Sequence, residues 1–226
     1  DVTTIFDKRM AINILVDPAI SKKKESANSA IVAVGKELSS PHWFVIDYLF
    51  GKFDPGQLIE ALFKVYLAAR KNFPISDVNA WVESVAYQKS LVYFIEEEQK
   101  RRREYFNIDE IKTTGEKELR IRGLVPLYRA GVIHHLPWMK DLEREAMNFP
   151  KGKTVDILDA LSFNLQVAEN TLHKGEGRVK QGVYVPSSTL EGSDLNQSMI
   201  RNGFPLQEAI TRQSLPYKSS NRYEGE

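Results

Sequence analysis

The stretch Ile12-Asn13-Ile14-Leu15-Val16-Asp17-Pro18 is an apolar run that ends in a carboxylate and a turn. A second apolar run ends at Glu83, and a third apolar segment carries Asp156 and Asp159. A carboxylate at the end of a buried strand is costly unless something compensates its charge. Because hard divalent cations prefer carboxylate oxygens, the three segments predict one shared metal centre.

Length and composition narrow the class of protein. The chain has 226 residues, of which 42% are hydrophobic and 27% charged, and its net charge is +1. It is long enough for one domain plus a tail or for two small domains, and any nucleic-acid site must be a local patch. The sequence has no cysteine, which excludes disulfides, thiol catalysis and zinc–thiolate sites. No signal peptide or membrane-length apolar run is visible, and the start at Asp1 leads us to expect a fragment of a longer protein.

The pattern along the chain predicts an α/β fold. Apolar and β-branched runs predict three strands joined as an antiparallel meander, after which helices and strands alternate. The predicted strands are 9–16, 29–34, 42–50, 77–82, about 108–112 and a short edge strand at 132–134. The first predicted helix begins at Asp54-Pro55. Four further helices are predicted at about 87–105, 119–128, 140–148 and 156 to about 172. The result is a mixed five- to six-stranded sheet with helices on both faces.

The end of the chain differs in character from the rest. After Leu172, glycines and prolines interrupt a stretch rich in Ser and Asn with few apolar residues. We therefore expect a domain at residues 1–171 and a mostly irregular tail at residues 172–226.

The acidic residues converge if the first strand is central and the fourth strand is its neighbour. Asp17 and Glu83 would then end adjacent strands, and Asp156 and Asp159, three residues apart, would share one face of a helix. Such a site holds two magnesium or manganese ions, which activate water and stabilise a leaving 3′ oxygen. Each residue also has a simpler interpretation: Asp17 in a turn, Glu83 as a surface residue, and Asp156 as a helix N-cap or first-turn acid.

With these residues in order, the sequence resembles the C-terminal nuclease domain of viral (bacteriophage) large terminase subunits, in the ribonuclease H-like superfamily. The resemblance covers about residues 9–168. Its most specific part is Phe149-Pro150, followed by a short polar loop and Asp-x-x-Asp-Ala-Leu at residues 156–161. The other matching stretches are 16–19, 82–84 and 113–121.

The resemblance implies a two-metal endonuclease that cuts concatemeric double-stranded viral DNA, with low sequence specificity, during genome packaging. It implies that Asp17, Glu83 and Asp156 are metal ligands for Mg²⁺ or Mn²⁺, with Asp159 as a fourth acid. The implied partners are double-stranded DNA, the ATPase domain of the full-length protein, the portal protein and the small terminase subunit, with no membrane. The implied location is the host cytoplasm and, transiently, the procapsid portal, but not the mature virion. Because the sequence has no GxxxxGK[ST] loop, we expect no ATPase activity from this chain.

Basic residues near the acidic segments are predicted to contact DNA phosphates without reading bases. They are Lys22, Lys23, Lys24, Lys117, Arg120 and Arg122. Residues 22–24 are equally explained as a solvated loop. The basic run 100–103 follows three glutamates and indicates an exposed helix face with charge pairs. We expect structural roles for His134 and His135, and core positions for Trp43, Phe44, Tyr48 and Phe50.

Two alternatives remain open at this point. One is a Holliday junction resolvase-like nuclease, because that family also carries an Asp-x-x-Asp-Ala helix. A preference for four-way junctions and a stable dimer would distinguish it. The other is a DNA-guiding and portal-docking module of the packaging motor that cuts weakly or not at all.

Overall fold

Six strands form one mixed sheet in the computed structural model of the chain, which describes residues 9–18, 28–84, 89–113 and 115–167. The strands are β1 (Met10–Asp17), β2 (Ser29–Glu37), β3 (Trp43–Gly51), β4 (Asp77–Glu83), β5 (Asn107–Ile111) and β6 (Ile133–His134). Their order across the sheet is β5-β4-β1-β2-β3-β6. The predicted meander is confirmed, since β1, β2 and β3 pair antiparallel in sequence. β1 lies inside the sheet with β4 parallel beside it, as predicted.

Two helices cover one face of the sheet: α1 (Pro55–Asn72) and α2 (Lys89–Arg102). The start of α1 is a capping box, because Asp54 Oδ1 accepts from the Gln57 amide at 2.8 Å and Gln57 Oε1 accepts from the Asp54 amide at 3.0 Å. The other face packs against five shorter helices, which confirms the prediction of helices on both faces. They are α3 (Lys117–Arg122), α4 (Leu124–Arg129), α5 (Lys140–Asn148), α6 (Asp156–Ser162) and α7 (Asn164–Val167).

Alternate side chains of β1 belong to the hydrophobic clusters on opposite faces of the sheet, and this alternation determines the face on which Asp17 lies. Ile12 and Ile14 face the cluster that contains α1 and α2, whereas Leu15 belongs to the cluster that contains α6. Successive strand residues point to opposite faces, so Asp17 projects on the same face as Leu15. The fold thereby directs the carboxylate of Asp17 towards α6.

The predicted helix 119–128 is two helices, α3 and α4, which meet at Gly123. Pro126 lies in the first turn of α4 and has no N–H to donate to the carbonyl of Arg122, so a continuous helix would lose that bond. The chain also passes close to its neighbours here: a Cβ on Gly123 would lie 2.8 Å from Leu165 Cδ1 and 3.0 Å from the Arg120 carbonyl oxygen. Gly131, predicted to end the helix, has a left-handed φ of 66° just after α4.

The predicted last helix is also interrupted, at Phe163 between α6 and α7. The Ser162 hydroxyl donates to the Asp159 carbonyl at 2.6 Å, and the Phe163 amide bonds instead to the Ala160 carbonyl at 3.2 Å. A side chain has thus taken the acceptor that a continuous helix would use. Residues beyond Val167, including the predicted tail, lie outside the described part of the chain.

Three smaller expectations are confirmed. On α2, Lys100 pairs with Glu97 at 2.7 Å and Arg102 with Glu98 at 2.6 Å, so the basic run is a charge-paired helix face. His134, the last residue of β6, contacts His42, with Nε2 2.9 Å from Nδ1, whereas His135 lies against Tyr128, so the two histidines do not form a shared site. The four aromatic residues of β3 are buried or pack against the core. In the described residues, no helix combines the length and the apolar character needed to cross a membrane.

Candidate functional site

Asp17 and Glu83 stand side by side at the ends of two parallel strands. The last paired residues of β1 and β4 are Val16 and Val82, and each carboxylate follows directly. Glu83 Oε1 accepts a hydrogen bond of 2.6 Å from the hydroxyl of Thr113, which lies two residues beyond β5. The sheet therefore juxtaposes the two predicted acids, and Thr113 orients one of them.

Helix α6 carries the other two acids on the face of the sheet that Asp17 points to. Ile157, Leu158 and Leu161 are buried in the core under α6. Because Asp156 and Asp159 are three residues apart, they lie on one side of this helix. The side chain of Asp159 is only 5% exposed, whereas that of Asp156 is 20% exposed and accepts from Asn28 Nδ2 at 3.2 Å.

Two cations from α3 contact the acids of α6. Lys117 Nζ lies 3.3 Å from Asp156 Oδ1 and 3.3 Å from Asp159 Oδ2, and so bridges the two. The Arg120 guanidinium donates to Asp159 Oδ1 at 2.8 Å and to Oδ2 at 3.1 Å, and also to the Gly115 carbonyl at 3.1 Å. α3 thus provides the internal countercharge of the site.

The positive charge of Lys117 compensates Asp17 only in part. Burial raises the pKa of Asp17 to about 8 from its ordinary 3.8, and the negative charges of Glu83 and Asp159 add to the rise. Lys117 opposes this rise. Burial also disfavours the charged form of Lys117, but Asp159, Asp17 and Asp156 outweigh it and raise the pKa of Lys117 above its ordinary value. The site therefore has an excess of negative charge centred on Asp17 and Glu83.

The donor chemistry of the site suits a hard divalent cation. Its oxygens are carboxylates, and an added cation would favour the charged form of Asp17, which burial and the neighbouring carboxylates of Glu83 and Asp159 disfavour. Within the described ranges, however, no three Asp, Glu or His side chains converge closely enough to hold an ion as they are placed. In this arrangement Lys117 and Arg120 contact oxygens of Asp156 and Asp159.

The predicted DNA-binding residues lie in four different situations. Lys22, Lys23 and Lys24 lie outside the described residues. Arg120, whose side chain is only 13% exposed, lies within the acidic cluster and not at an open surface. Arg122 is exposed and pairs with Glu118 at 2.6 Å. Of the basic residues on α3, Lys117 combines contact with the acids and access to solvent, since its side chain is 40% exposed.

Sequence reasoning missed three residues that bond to the acids or to the start of the helix that carries two of them: Thr113, Asn28 and Glu145. Glu145 on α5 accepts from the amide of Asp156 at 3.1 Å and from that of Leu158 at 3.0 Å. A signal for it exists, because Glu145 follows Leu142 by three residues and so interrupts the apolar stripe of α5. Burial raises the pKa of Glu145, although the amides of α6 oppose this rise. Asn28 gives no comparable signal, since polar residues beside strands are common. Thr113 lies in the stretch 113–121 that carries the family resemblance, but nothing in that stretch identifies its hydroxyl as a partner of Glu83.

A buried polar network supports the same face of the sheet. Asn13 Nδ2 donates to Asn164 Oδ1 at 2.9 Å, and Trp81 Nε1 donates to Asn13 Oδ1 at 3.1 Å. These bonds join β1, β4 and α7. In β1, Asn13 lies four residues before Asp17, and in β4, Trp81 lies two residues before Glu83. Both asparagines are fully buried, so the network fixes the relative position of the two strands.

Comparison with solved structures finds viral terminase nucleases. The nuclease domain of human cytomegalovirus terminase, soaked with Mn and bound to an inhibitor, has a TM-score of 0.57 at 13% identity, covering 74% of this chain and 86% of that one. The large terminase of a thermophilic bacteriophage, in complex with ADP, has a TM-score of 0.50 at 14% identity, covering 69% of this chain and 39% of that one. The sequence matches no family model and no curated protein. This chain has the ribonuclease H-like fold found in viral terminase nuclease domains.

Proposed function

We propose that this chain is a metal-dependent endonuclease that cuts concatemeric double-stranded DNA during viral genome packaging. The observation that carries the proposal is the position of Asp17 beside Glu83 at the ends of two parallel strands, facing the acids of α6. Burial and the charges of Glu83 and Asp159 raise the pKa of Asp17 to about 8, which supports a site where an added cation would be favourable. The fold shared with terminase nuclease domains, one of them soaked with Mn, agrees with this chemistry.

The ligands that we propose are Asp17, Glu83 and Asp156. Two Mg²⁺ or Mn²⁺ ions bound there would activate water and stabilise the leaving 3′ oxygen of a phosphodiester. Thr113 holds the carboxylate of Glu83, and Asn28 holds that of Asp156. We give Asp159 a lesser part as a ligand, because Arg120 already neutralises it.

Lys117 is the residue of α3 that we propose for contact with a scissile phosphate. Its ammonium faces the acids and its side chain is 40% exposed, so it can exchange a carboxylate oxygen for a phosphate oxygen without leaving the site. Arg122, Lys22, Lys23 and Lys24 are proposed to contact other phosphates of the duplex, which gives affinity without base specificity. Arg120 is better suited to holding α6 than to binding DNA.

The biological setting is part of the proposal. The partners would be an ATPase domain of a longer protein, the portal and a small terminase subunit, and residues 172–226 would provide a contact for the portal. The place of action would be the host cytoplasm, at the procapsid portal during packaging. Residues 1–171 would form the nuclease domain.

The test is cleavage of supercoiled and linear plasmid with Mg²⁺, Mn²⁺, Ca²⁺ or EDTA. Wild type should cut with Mg²⁺ or Mn²⁺ and not with Ca²⁺ or EDTA. Asp17→Asn should lower the rate by at least about 100-fold, since even residues outside the ligand shell of a metal cost 10- to 100-fold. Asp141→Asn, which changes an exposed aspartate on α5, is the matched control and should cut like wild type.

The other outcomes separate the alternatives. Unimpaired cutting by folded Asp17→Asn would overturn the assignment of this site. Preferential cutting of four-way junctions by a stable dimer would favour a resolvase-like nuclease. Binding of DNA or portal without any cutting would favour a guiding and docking module.

A further inference from the structure

The N-terminus of α6 is capped by a carboxylate from another helix. Glu145 of α5 is 4% exposed, and its two oxygens accept from the amides of Asp156 and Leu158 at 3.1 and 3.0 Å. The residue in the N-cap position of α6 itself is Val155, which makes no side-chain cap. The amides that a helix leaves unsatisfied at its start are therefore satisfied here by Glu145.

These amides would otherwise attract a nearer carboxylate. Asp156 is the first residue of α6, and free amides and the helix dipole favour a negative side chain in the first turn. Because Glu145 occupies the amides, the carboxylate of Asp156 is directed elsewhere, to Asn28 Nδ2 at 3.2 Å and Lys117 Nζ at 3.3 Å. The carboxylate of Glu145 thus binds the amides at the start of α6, whereas that of Asp156 binds side chains outside the helix.

We propose that Glu145 is a positioning residue that keeps the carboxylate of Asp156 turned away from its own helix and available to a divalent cation. This inference rests on the proposed function, since it assigns Asp156 as a ligand. In this role Glu145 would contact neither metal nor DNA. It acts through the backbone of α6, in the way that residues behind a ligand set its orientation.

The test compares Glu145→Gln with Glu143→Gln in the full chain. Gln keeps the size of Glu145 but has one acceptor oxygen for two amides and no charge. Glu143 lies on the same helix and pairs with Lys140 at 2.7 Å on a more exposed surface, so it is a matched control. The probe is Mn²⁺ alone, with its Kd measured by titration calorimetry without DNA.

Glu145→Gln should weaken Mn²⁺ binding by about 10- to 100-fold, and Glu143→Gln should leave it unchanged. In the absence of metal, hydrogen exchange at the Asp156 and Leu158 amides should be faster in Glu145→Gln than in the control. In plasmid cleavage, the Mn²⁺ concentration for half-maximal rate should rise while the KM for DNA stays the same. Excess Mn²⁺ should restore the rate, which a merely unfolded site would not allow.

Separate results contradict this inference and the proposed function. Equal Mn²⁺ Kd values for wild type and Glu145→Gln would overturn the positioning role alone. A wild-type chain that neither binds Mn²⁺ nor cuts would overturn the proposed function instead. Glu145→Asp, which keeps the charge but shortens the side chain, is the second variant if Glu145→Gln does not fold. The Kd of Glu145→Asp for Mn²⁺ should be higher than that of wild type, and an unchanged Kd would also contradict the positioning role.

Discussion

At the scale of single residues, Asp17 links the stability of the protein to pH. Its pKa is about 8 in the folded protein, against an ordinary 3.8. The unfolded chain therefore loses this proton from about pH 4 upward, whereas the folded chain keeps it until about pH 8. The folded state binds more protons throughout this window, so the contribution of Asp17 to stability falls as the pH rises from about 4 to 8.

We expect this fall to disappear in Asp17→Asn. In EDTA, the melting temperatures of wild type and the variant should be close near pH 4 and separate steadily towards pH 8, where the variant should be higher by at least about 2–4 °C, the change expected for 1 kcal/mol in a chain of this size. Thermal unfolding followed by circular dichroism at several pH values measures this. Asp141→Asn should keep the wild-type slope. Parallel curves for wild type and Asp17→Asn would contradict the raised pKa.

Asp17 also shows how far the sequence predicts a site. The apolar runs before Asp17 and Glu83 predict two buried strands, and their parallel pairing follows from the central position of the first strand. The side chains that pair with the acids cannot be predicted in the same way. Arg120 and Asp159 are 39 residues apart, and nothing in either segment indicates that α3 and α6 lie side by side. Contacts of this kind depend on packing, which periodicity does not encode.

At the scale of elements, the pair Arg120–Asp159 ties α3 to α6. Both side chains are largely buried, at 13% and 5% exposure, and the Arg120 guanidinium also lies 5.7 Å from the ring of Phe163, where α6 ends. A buried ion pair adds little net stability, but loss of one partner leaves a charge without compensation. The pair therefore fixes the position of the helix that carries Asp156.

Arg120→Ala should lower the free energy of unfolding by about 3 kcal/mol, the lower end of the range for breaking a buried pair, because Lys117 still contacts Asp159. Arg122→Ala is the matched control on the same helix. It removes an exposed pair with Glu118 and should change the free energy by no more than about 0.5 kcal/mol. Urea denaturation measures both variants.

A double-mutant cycle identifies the cause. In Arg120→Ala/Asp159→Asn the uncompensated carboxylate is gone, so part of the lost stability should return. If Arg120→Ala is as mild as Arg122→Ala, then water or Lys117 compensates Asp159, and Arg120 does not hold α6 in place.

Two predicted helices are interrupted in the structure, and these interruptions show which helix boundaries the sequence pattern does not predict. The two apolar helical patterns, 119–128 and the one that starts at Asp156, are present, but each is divided. Pro126 is a visible signal for the first break, because proline lacks an amide. The second break depends on the Ser162 hydroxyl taking the Asp159 carbonyl, and serine inside a helical pattern does so only in some surroundings.

At the scale of the whole molecule, the described residues form one sheet with a hydrophobic cluster on each face. One cluster includes β1 and α1, and the other includes β2 and α6 and reaches its last buried residues at Phe163 and Val167. The change of composition after Leu172, where glycines and prolines interrupt a stretch with few apolar residues, predicts that the segment 172–226 adds little to this core.

A chain that ends at Thr171 should therefore unfold cooperatively, with the urea midpoint and m-value of the full chain, since m scales with the surface exposed on unfolding. A chain that ends at Ser162 is the control. It lacks Phe163 and Val167, which are 0% and 3% exposed, and it lacks Asn164, the partner of Asn13, so its midpoint should fall clearly. Urea denaturation followed by tryptophan fluorescence compares the three chains, because Trp81 lies in the same cluster as Phe163. A broad transition or a lower midpoint for the chain ending at Thr171 would mean that residues 172–226 belong to the folded unit and not to a separate contact for a partner.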